Sequence, residues 1–291
     1  MSSMTLIIIQ GIVVLALAPF VTGLVRWFKA RLQGRHGAAP WLVYFALLTT
    51  LKKENVISES RSWVFRCVPF VVLGTALFLS VVLPLLFPNG GIPQVDLFVL
   101  AGVLALGSVF LVLGGLDAAT AFGGMGASRE MALAALIEPT VLVTFAAFAS
   151  VAGSSSIQDI FGNGLTAISH PALLLSFAAL VLVTLAENAR YPVDNPATHL
   201  ELTMVHEAMV LEYSGPYLAL LEYASSIKLT VFLLILGNLA GASAIVTVVV
   251  GSFALALLES TIAKMRFFRM QEYMSIAFFL ALAGLILIFI L

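Results

Sequence analysis

The 291-residue chain is too apolar to fold as a soluble domain. Apolar residues make up 61% of it and charged residues 10%, whereas soluble proteins have about 45–50% and about 25%. The net charge of −1 excludes the basic surface that binds nucleic acids. The single cysteine, Cys67, excludes a disulfide framework, a zinc–thiolate site and an iron–sulfur cluster within the chain, because each needs several thiolates.

Eight apolar segments are long enough to cross a bilayer, since a helix needs roughly 20 apolar residues for the ~30 Å hydrocarbon layer. They cover residues 4–25, 67–87, 95–116, 131–152, 170–187, 217–237, 242–263 and 273–291. We therefore predict an all-α integral membrane protein with about eight transmembrane helices, forming a single polytopic domain over 1–291.

The positions of the cations predict the topology. All 14 lysines and arginines lie within or beside the odd-numbered connections between the predicted spans. The positive-inside rule makes those connections cytoplasmic and both termini external. No cation precedes the first span, so it is not a cleavable signal peptide. The first and fifth connections are long and rich in ionisable groups, and we expect the function to lie on that side.

The fifth connection is predicted to contain a helix that does not cross the membrane, over 196–213. Asn195 can cap its start and Pro196 suits its first position. Gly215 and Pro216 follow it, and this pair is typical of a helix end.

Ionisable residues are predicted to occupy two faces of this helix. At 100° per residue, Glu201 and Glu212 share one face, whereas His199 and His206 share another. Such groups hold protons near neutrality when they are partly buried. Glu207 follows His206, but the second histidine of a zinc helix is missing, so no metal site is predicted. A solvated acidic helix on the membrane surface is the alternative.

Four glutamates lie inside or at the ends of predicted spans, namely Glu138, Glu187, Glu222 and Glu259. Ionisable groups at this depth are costly and indicate proton or ion passage. For Glu222 and Glu259 the alternative is pairing with a cation near the cytoplasmic surface, such as Lys228 or Lys264. All four lie toward the cytoplasmic half, so we expect a cluster.

Two cytoplasmic connections carry candidate docking residues. The third, 117–130, is predicted to be a glycine-rich turn, with Ser128 a candidate cap for the next helix. The first contains an apolar run, 41–51, that is too short to span and is predicted to be an interfacial helix. Its cations suit anionic lipid head groups or a cytoplasmic subunit. The predicted docking residues are Arg35, Lys52, Lys53, Asp117, Arg129 and Glu130.

The chain resembles, over its whole length, the membrane subunit that respiratory complex I shares with the group 4 membrane-bound nickel–iron hydrogenases. The motifs that carry this resemblance are Gln33-Gly34-Arg35-His36-Gly37, Gly123-Gly124 with Ala127-Ser128, the block from Ala186 to Pro196, and Glu212-Tyr213-Ser214-Gly215. The run 197–207 and the Glu138-Pro139 pair are similar to the hydrogenase branch, which includes formate hydrogenlyase and hydrogenase-4.

The resemblance implies a role in anchoring and coupling. It implies a subunit of the cytoplasmic (inner) membrane that docks the hydrogenase large and small subunits and a ferredoxin-like iron–sulfur subunit, and that acts on antiporter-like membrane subunits. The [NiFe] centre and the iron–sulfur clusters are expected in those partners, and no cofactor is expected in this chain. The residues that the resemblance implies and the carboxylates of the spans together make up the predicted coupling residues. They are Glu138, Glu187, Arg190, Asp194, His199, Glu201, His206, Glu207, Glu212 and Glu259.

Three other functions stay open on the sequence. The chain is alternatively the quinone-site subunit of a complex I-type NADH dehydrogenase, a stand-alone proton- or cation-coupled transporter, or a passive anchor whose carboxylates are structural. Co-isolation with iron–sulfur proteins separates the transporter from the rest, and inhibition by quinone analogues separates the complex I type from the hydrogenase type.

Overall fold

The computed structural model describes residues 3–57, 61–88, 94–162, 170–194, 204–262, 265 and 267–290, and these residues are helical apart from their connections and one isolated β-bridge. The helices are α1 (Ser3–Leu32), α2 (Leu42–Leu51), α3 (Trp63–Val82), α4 (Leu97–Asp117), α5 (Ala121–Ala152), α6 (Ile157–Gly162), α7 (Pro171–Glu187), α8 (His206–Val210), α9 (Gly215–Leu239), α10 (Ala244–Thr261) and α11 (Phe267–Ile290). The predicted all-α membrane class is confirmed.

Seven of the described helices are long and apolar enough to cross a membrane: α1, α3, α4, α5, α9, α10 and α11. The predicted span over 170–187 is α7, an apolar helix of 17 residues. Its length is about 26 Å at 1.5 Å per residue, near the lower limit for a transmembrane helix. α7 packs between α5 and α11 within the bundle. The eight-span topology with external termini stays a prediction.

The third connection is shorter than the sequence predicted, and the prediction of a glycine-rich turn over 117–130 is wrong. α5 already begins at Ala121, because the Thr120 hydroxyl accepts a hydrogen bond from the Gly123 N–H at 3.2 Å and caps the helix. Ser128 lies inside α5 and donates to the Met125 carbonyl at 2.9 Å, so it is not the cap. The connection between α4 and α5 is therefore only three residues long.

The predicted interfacial helix over 41–51 is present as α2, a ten-residue helix that packs on α1 and α9. Pro19 prepares the surface of α1 that α2 contacts. Proline has no N–H, so the Leu15 carbonyl of α1 loses its helical partner. The Tyr223 hydroxyl of α9 donates to this carbonyl at 3.0 Å, and the Tyr44 hydroxyl of α2 donates to the Ala16 carbonyl. Two tyrosines thus join three helices at the proline.

Removal of the Tyr223 hydroxyl is expected to weaken this junction. Tyr223→Phe leaves the Leu15 carbonyl without that donor inside the bundle, which costs on the order of 1–3 kcal/mol. Thermal unfolding in detergent should show a lower midpoint for Tyr223→Phe than for Tyr217→Phe, a control on the same helix whose ring packs edge-on against Phe70. Equal midpoints for the two variants would contradict the role given to Tyr223.

Candidate functional site

A cleft lies among α3, α4, α7 and α9, with a volume of about 680 Å³ that includes the part open to solvent. Four ionisable side chains line it: Glu130 of α5, Glu187 at the end of α7, His206 of α8 and Lys228 of α9. We call it the central cleft. The walls from α3 and α4 are mostly aliphatic. Charges therefore interact there more strongly than they do in water.

An ion pair joins two of these helices across the central cleft. Lys228 Nζ lies 2.7 Å from Glu187 Oε1, and the side chains are 27% and 7% exposed. Each ion costs several kcal/mol to remove from water, and their mutual attraction offsets that cost. From the sequence, Lys228 was an alternative partner for Glu222 or Glu259. It pairs with Glu187 instead, because the end of α7 brings Glu187 to the middle of α9.

Glu187 also lines a second cavity, of about 320 Å³, which contains Glu138. This cavity lies among α4, α5 and α7, and Ser108 of α4 lines both cavities. Glu187 therefore lies at the junction of the two. The structure brings the predicted coupling residues Glu138 and Glu187 together in this way, and it places Glu130, a predicted docking residue, in the central cleft.

Asp194 holds the segment that brings His206 to the central cleft. Its carboxylate is 1% exposed and accepts hydrogen bonds from the backbone N–H groups of Val205, at 3.0 Å, and His206, at 3.2 Å. Arg129 donates to the Met204 carbonyl at 3.0 Å. The first residues of this segment, 204–206, are thus held by two charged side chains, of which Asp194 is buried and Arg129 is half-buried.

These contacts explain why the predicted helix over 196–213 is wrong in its described part. Residues 204–205 and 211–213 are not helical, and α8 covers only His206–Val210. Asp194 and Arg129 take the backbone groups that a continuous helix would pair internally. Residues 195–203, including His199 and Glu201, lie outside the described residues, so the predicted faces of this helix are untested.

Glycines let α8 approach α4 and α5 closely. A Cβ atom at Gly126 would lie 2.9 Å from the Val205 carbonyl oxygen, and one at Gly115 would lie 2.9 Å from Met209 Cγ. A side chain at either position would therefore displace α8. The close neighbour of Gly115 and Gly126 is therefore a segment of the same chain.

His206 is neutral at physiological pH. Burial lowers the pKa of its imidazole to about 4, and the charge of Lys228 acts in the same direction, whereas that of Asp194 opposes it. The expectation that this imidazole holds a proton near neutrality is therefore wrong. In its neutral form the ring can donate one hydrogen bond and accept another.

A second charged cluster, apart from the central cleft, surrounds Glu259. Its carboxylate is 3% exposed and lies 2.9 Å from Lys29 Nζ and 3.0 Å from Arg190 Nη1. Lys29 also lies over the ring of Tyr191, 5.0 Å from its centroid. The predicted partners of Glu259 are corrected: Lys228 pairs elsewhere, and Lys264 lies outside the described residues. Glu259 does pair with cations, and its ion pairs with Lys29 and Arg190 connect α1 and α10 to the segment after α7.

A third cluster holds Glu212 at the start of α3. The Glu212 carboxylate pairs with Arg61, whose guanidinium lies over the ring of Phe65, 4.2 Å from its centroid. Phe65 in turn stacks on Tyr213 at 3.9 Å. Burial raises the pKa of the Tyr213 phenol well above its usual value. Glu212 thus fixes the chain between α8 and α9 against α3.

The remaining predicted residues differ in exposure. The Asp117 carboxylate accepts from the N–H groups of Ser62, at 3.1 Å, and Phe65, at 3.2 Å, and so caps α3. Glu207 is half-buried on α8. The predicted docking cations Arg35, Lys52 and Lys53 are exposed. Within the described ranges, no three His, Cys, Asp or Glu side chains come together as a metal ligand set.

Several known proteins are similar to this chain. A family model described as NADH dehydrogenase matches residues 4–291. Formate hydrogenlyase subunit 4 of Escherichia coli (strain K12) is 32% identical over 280 residues, which cover 89% of this chain and 90% of that protein. Hydrogenase-4 component C of the same organism is 32% identical over 225 residues, covering 75% and 69%.

A solved structure has the same fold. It is a chain of the membrane-bound sulfane sulfur reductase (MBS), an archaeal respiratory membrane complex, with a TM-score of 0.80. The superposition covers 97% of this chain and 99% of that chain at 17% sequence identity, so the likeness concerns the fold alone.

The depressed pKa of His206 predicts a loss of stability in acid. The folded protein disfavours the imidazolium, so stability is fully present above the unfolded pKa of about 6.5 and falls as the pH drops from there toward 4. The loss by pH 5 is on the order of 1–2 kcal/mol. Unfolding midpoints in detergent should fall less between pH 7.5 and 5 for His206→Gln than for the wild type. His36→Gln, at an exposed position, serves as the control, and an unchanged pH slope in His206→Gln would contradict the assignment.

Proposed function

The chain belongs to the NADH dehydrogenase family, as the motif resemblance predicted, and on this premise we propose that it is the membrane-anchoring and redox-to-proton coupling subunit of a multisubunit membrane-bound hydrogenase. The identity to two E. coli hydrogenase-related subunits, over most of this chain, supports the formate hydrogenlyase and hydrogenase-4 type over the complex I type.

The central cleft is the observation that carries the coupling role. Three glutamates, Glu130, Glu138 and Glu187, line the two cavities, and Glu187, which lines both, pairs with Lys228 of the central cleft. Three carboxyls and one charged lysine are neutral together when two of the carboxyls carry protons. This neutral state is favoured because like charges repel strongly in an apolar bundle. Glu187 can pass a proton toward either cavity, because it lines both. A passive anchor has no need of carboxyls arranged in this way.

The segment 187–194 is the proposed link between the redox subunits and these protons. It begins at Glu187 in the central cleft and ends at Asp194, which holds the backbone at His206. Between them, Arg190 pairs with Glu259. A displacement of this segment by a docked subunit would change the distance between Glu187 and Lys228. A perturbation that shifts a pKa by one unit needs only about 1.4 kcal/mol, which is small against the energy of a buried ion pair.

The partners follow from the same proposal. We propose that the chain docks hydrogenase large and small subunits and a ferredoxin-like iron–sulfur subunit on its cytoplasmic side, and antiporter-like subunits within the inner membrane. The [NiFe] centre and the iron–sulfur clusters belong to those partners. Arg35, Lys52 and Lys53 are exposed and suit contacts with lipid or with a partner, whereas Asp117, Arg129 and Glu130 make internal contacts or line the central cleft.

Neutralising Glu187 tests the coupling role. In inverted membrane vesicles that contain the whole complex, Glu187→Gln should reduce hydrogenase-driven proton uptake by about tenfold or more, because the junction between the cavities loses its acid–base group. A pH-sensitive fluorescent dye measures the uptake, and co-purification of an iron–sulfur protein measures assembly. Glu222→Gln, in the same bundle but outside both cavities, is the matched control. Intact assembly with undiminished proton uptake in Glu187→Gln would support the passive anchor instead.

A further inference from the structure

A groove of about 670 Å³ opens where α2 lies against α1 and α9, away from the central cleft. Its walls are aliphatic, with Leu15 and Pro19 from α1, Leu47 and Leu51 from α2, and Leu220 from α9. The hydroxyls of Tyr44 and Tyr223, which also line it, donate to backbone carbonyls of α1. The groove therefore presents an apolar surface, and we call it the α2 groove.

The outer face of α2 places this groove at the membrane surface. Trp41, Phe45 and Leu48 are 61%, 60% and 54% exposed, and their spacing puts them on one stripe of the helix. Ten residues extend about 15 Å, which is too short to cross the hydrocarbon layer. A short helix with an exposed apolar stripe lies along the interface with that stripe in the lipid. The α2 groove is then open to lipid acyl chains.

Two cations lie at one end of the α2 groove. Lys52 and Lys53 directly follow Leu51, which lines the groove, and both are exposed. A Cβ atom at Gly215, the first residue of α9, would lie 2.9 Å from the Lys53 carbonyl oxygen, so this end of α2 meets the start of α9. The apolar groove thus ends beside a pair of exposed lysines.

We propose that the α2 groove binds an anionic phospholipid, with an acyl chain against its aliphatic walls and the phosphate beside Lys52 and Lys53. Each cation near an anionic lipid contributes about 1 kcal/mol, or roughly fivefold in affinity. Burial of the acyl chain adds hydrophobic free energy that does not depend on the head group. This site is independent of the proton-coupling role, because it shares no lining residue with either of the two acidic cavities.

Lipid binding to the purified full-length chain, with any subunits that accompany it, tests the proposal. After delipidation in detergent, the protein is titrated with phosphatidylglycerol and with phosphatidylcholine that carry the same fluorescent acyl chain. The wild type should bind phosphatidylglycerol more tightly. The double substitution Lys52→Gln with Lys53→Gln should weaken the binding of phosphatidylglycerol about tenfold or more and leave the binding of phosphatidylcholine nearly unchanged. The double substitution Lys52→Arg with Lys53→Arg should keep the preference for phosphatidylglycerol.

Filling the α2 groove tests the position of the acyl chain. Ala16 lines the groove and is exposed, so Ala16→Phe should block the groove and weaken the binding of both lipids. Ala46→Phe, on an exposed position of α2 that does not line the groove, is the matched control. If Ala16→Phe does not fold, Leu48→Trp at the exposed edge of the groove gives the same test.

Four results would overturn the proposal. Equal affinity of the wild type for the two lipids would show that the groove does not recognise the anionic head group. The absence of an effect of the lysine-to-glutamine pair would show the same. Unchanged binding by the groove-filling variants would place the lipid elsewhere. Displacement of the probe by an isoprenoid quinone, with the lysine variants binding normally, would assign the groove to a quinone.

Discussion

The arrangement of the central cleft depends on one electrostatic constraint: Lys228 lies near the middle of an apolar helix and needs a carboxylate within contact distance. Glu187 supplies it at 2.7 Å, at the point where α7 ends. Separation of the pair would leave two uncompensated charges in a medium of low dielectric constant, at a cost of several kcal/mol. The end of α7 and the course of the segment after it are both subject to this requirement.

Close packing around α8 holds His206 at the central cleft. Asp194 fixes the first backbone N–H groups of α8, and glycines of α4 and α5 let the segment lie almost in contact with their backbones. Packed interiors of this kind shift between discrete arrangements more readily than they deform. In the proposed mechanism, a docked subunit that moves the segment 187–194 would act on His206 and Glu187 together. The Glu259 cluster ties the same segment to α1 and α10 and limits how far it can move.

The sequence was sufficient for the all-α membrane class, the short helix within 41–51 and the family, because hydropathy, length and rare motifs are local properties. Pairings between distant residues were not predictable in this way. Lys228 is separated from Glu187 by 41 positions, so the sequence allowed Glu222 or Glu259 as its partner equally well. The helix over 196–213 fitted every local rule for caps, yet Asp194 and Arg129 compete for its backbone. Glu130 was predicted among the docking residues, and only the fold places it in the central cleft.

A double-mutant cycle on the central ion pair tests the account most directly. Proton uptake by vesicles that contain the whole complex is measured for Glu187→Gln, for Lys228→Met and for the double variant, with assembly checked for each. If the two residues act as one buried pair, the single losses will not add, and the double variant will be no worse than the more damaged single variant. Strictly additive losses would show that Lys228 and Glu187 act independently, and they would contradict the coupling role given to the central cleft.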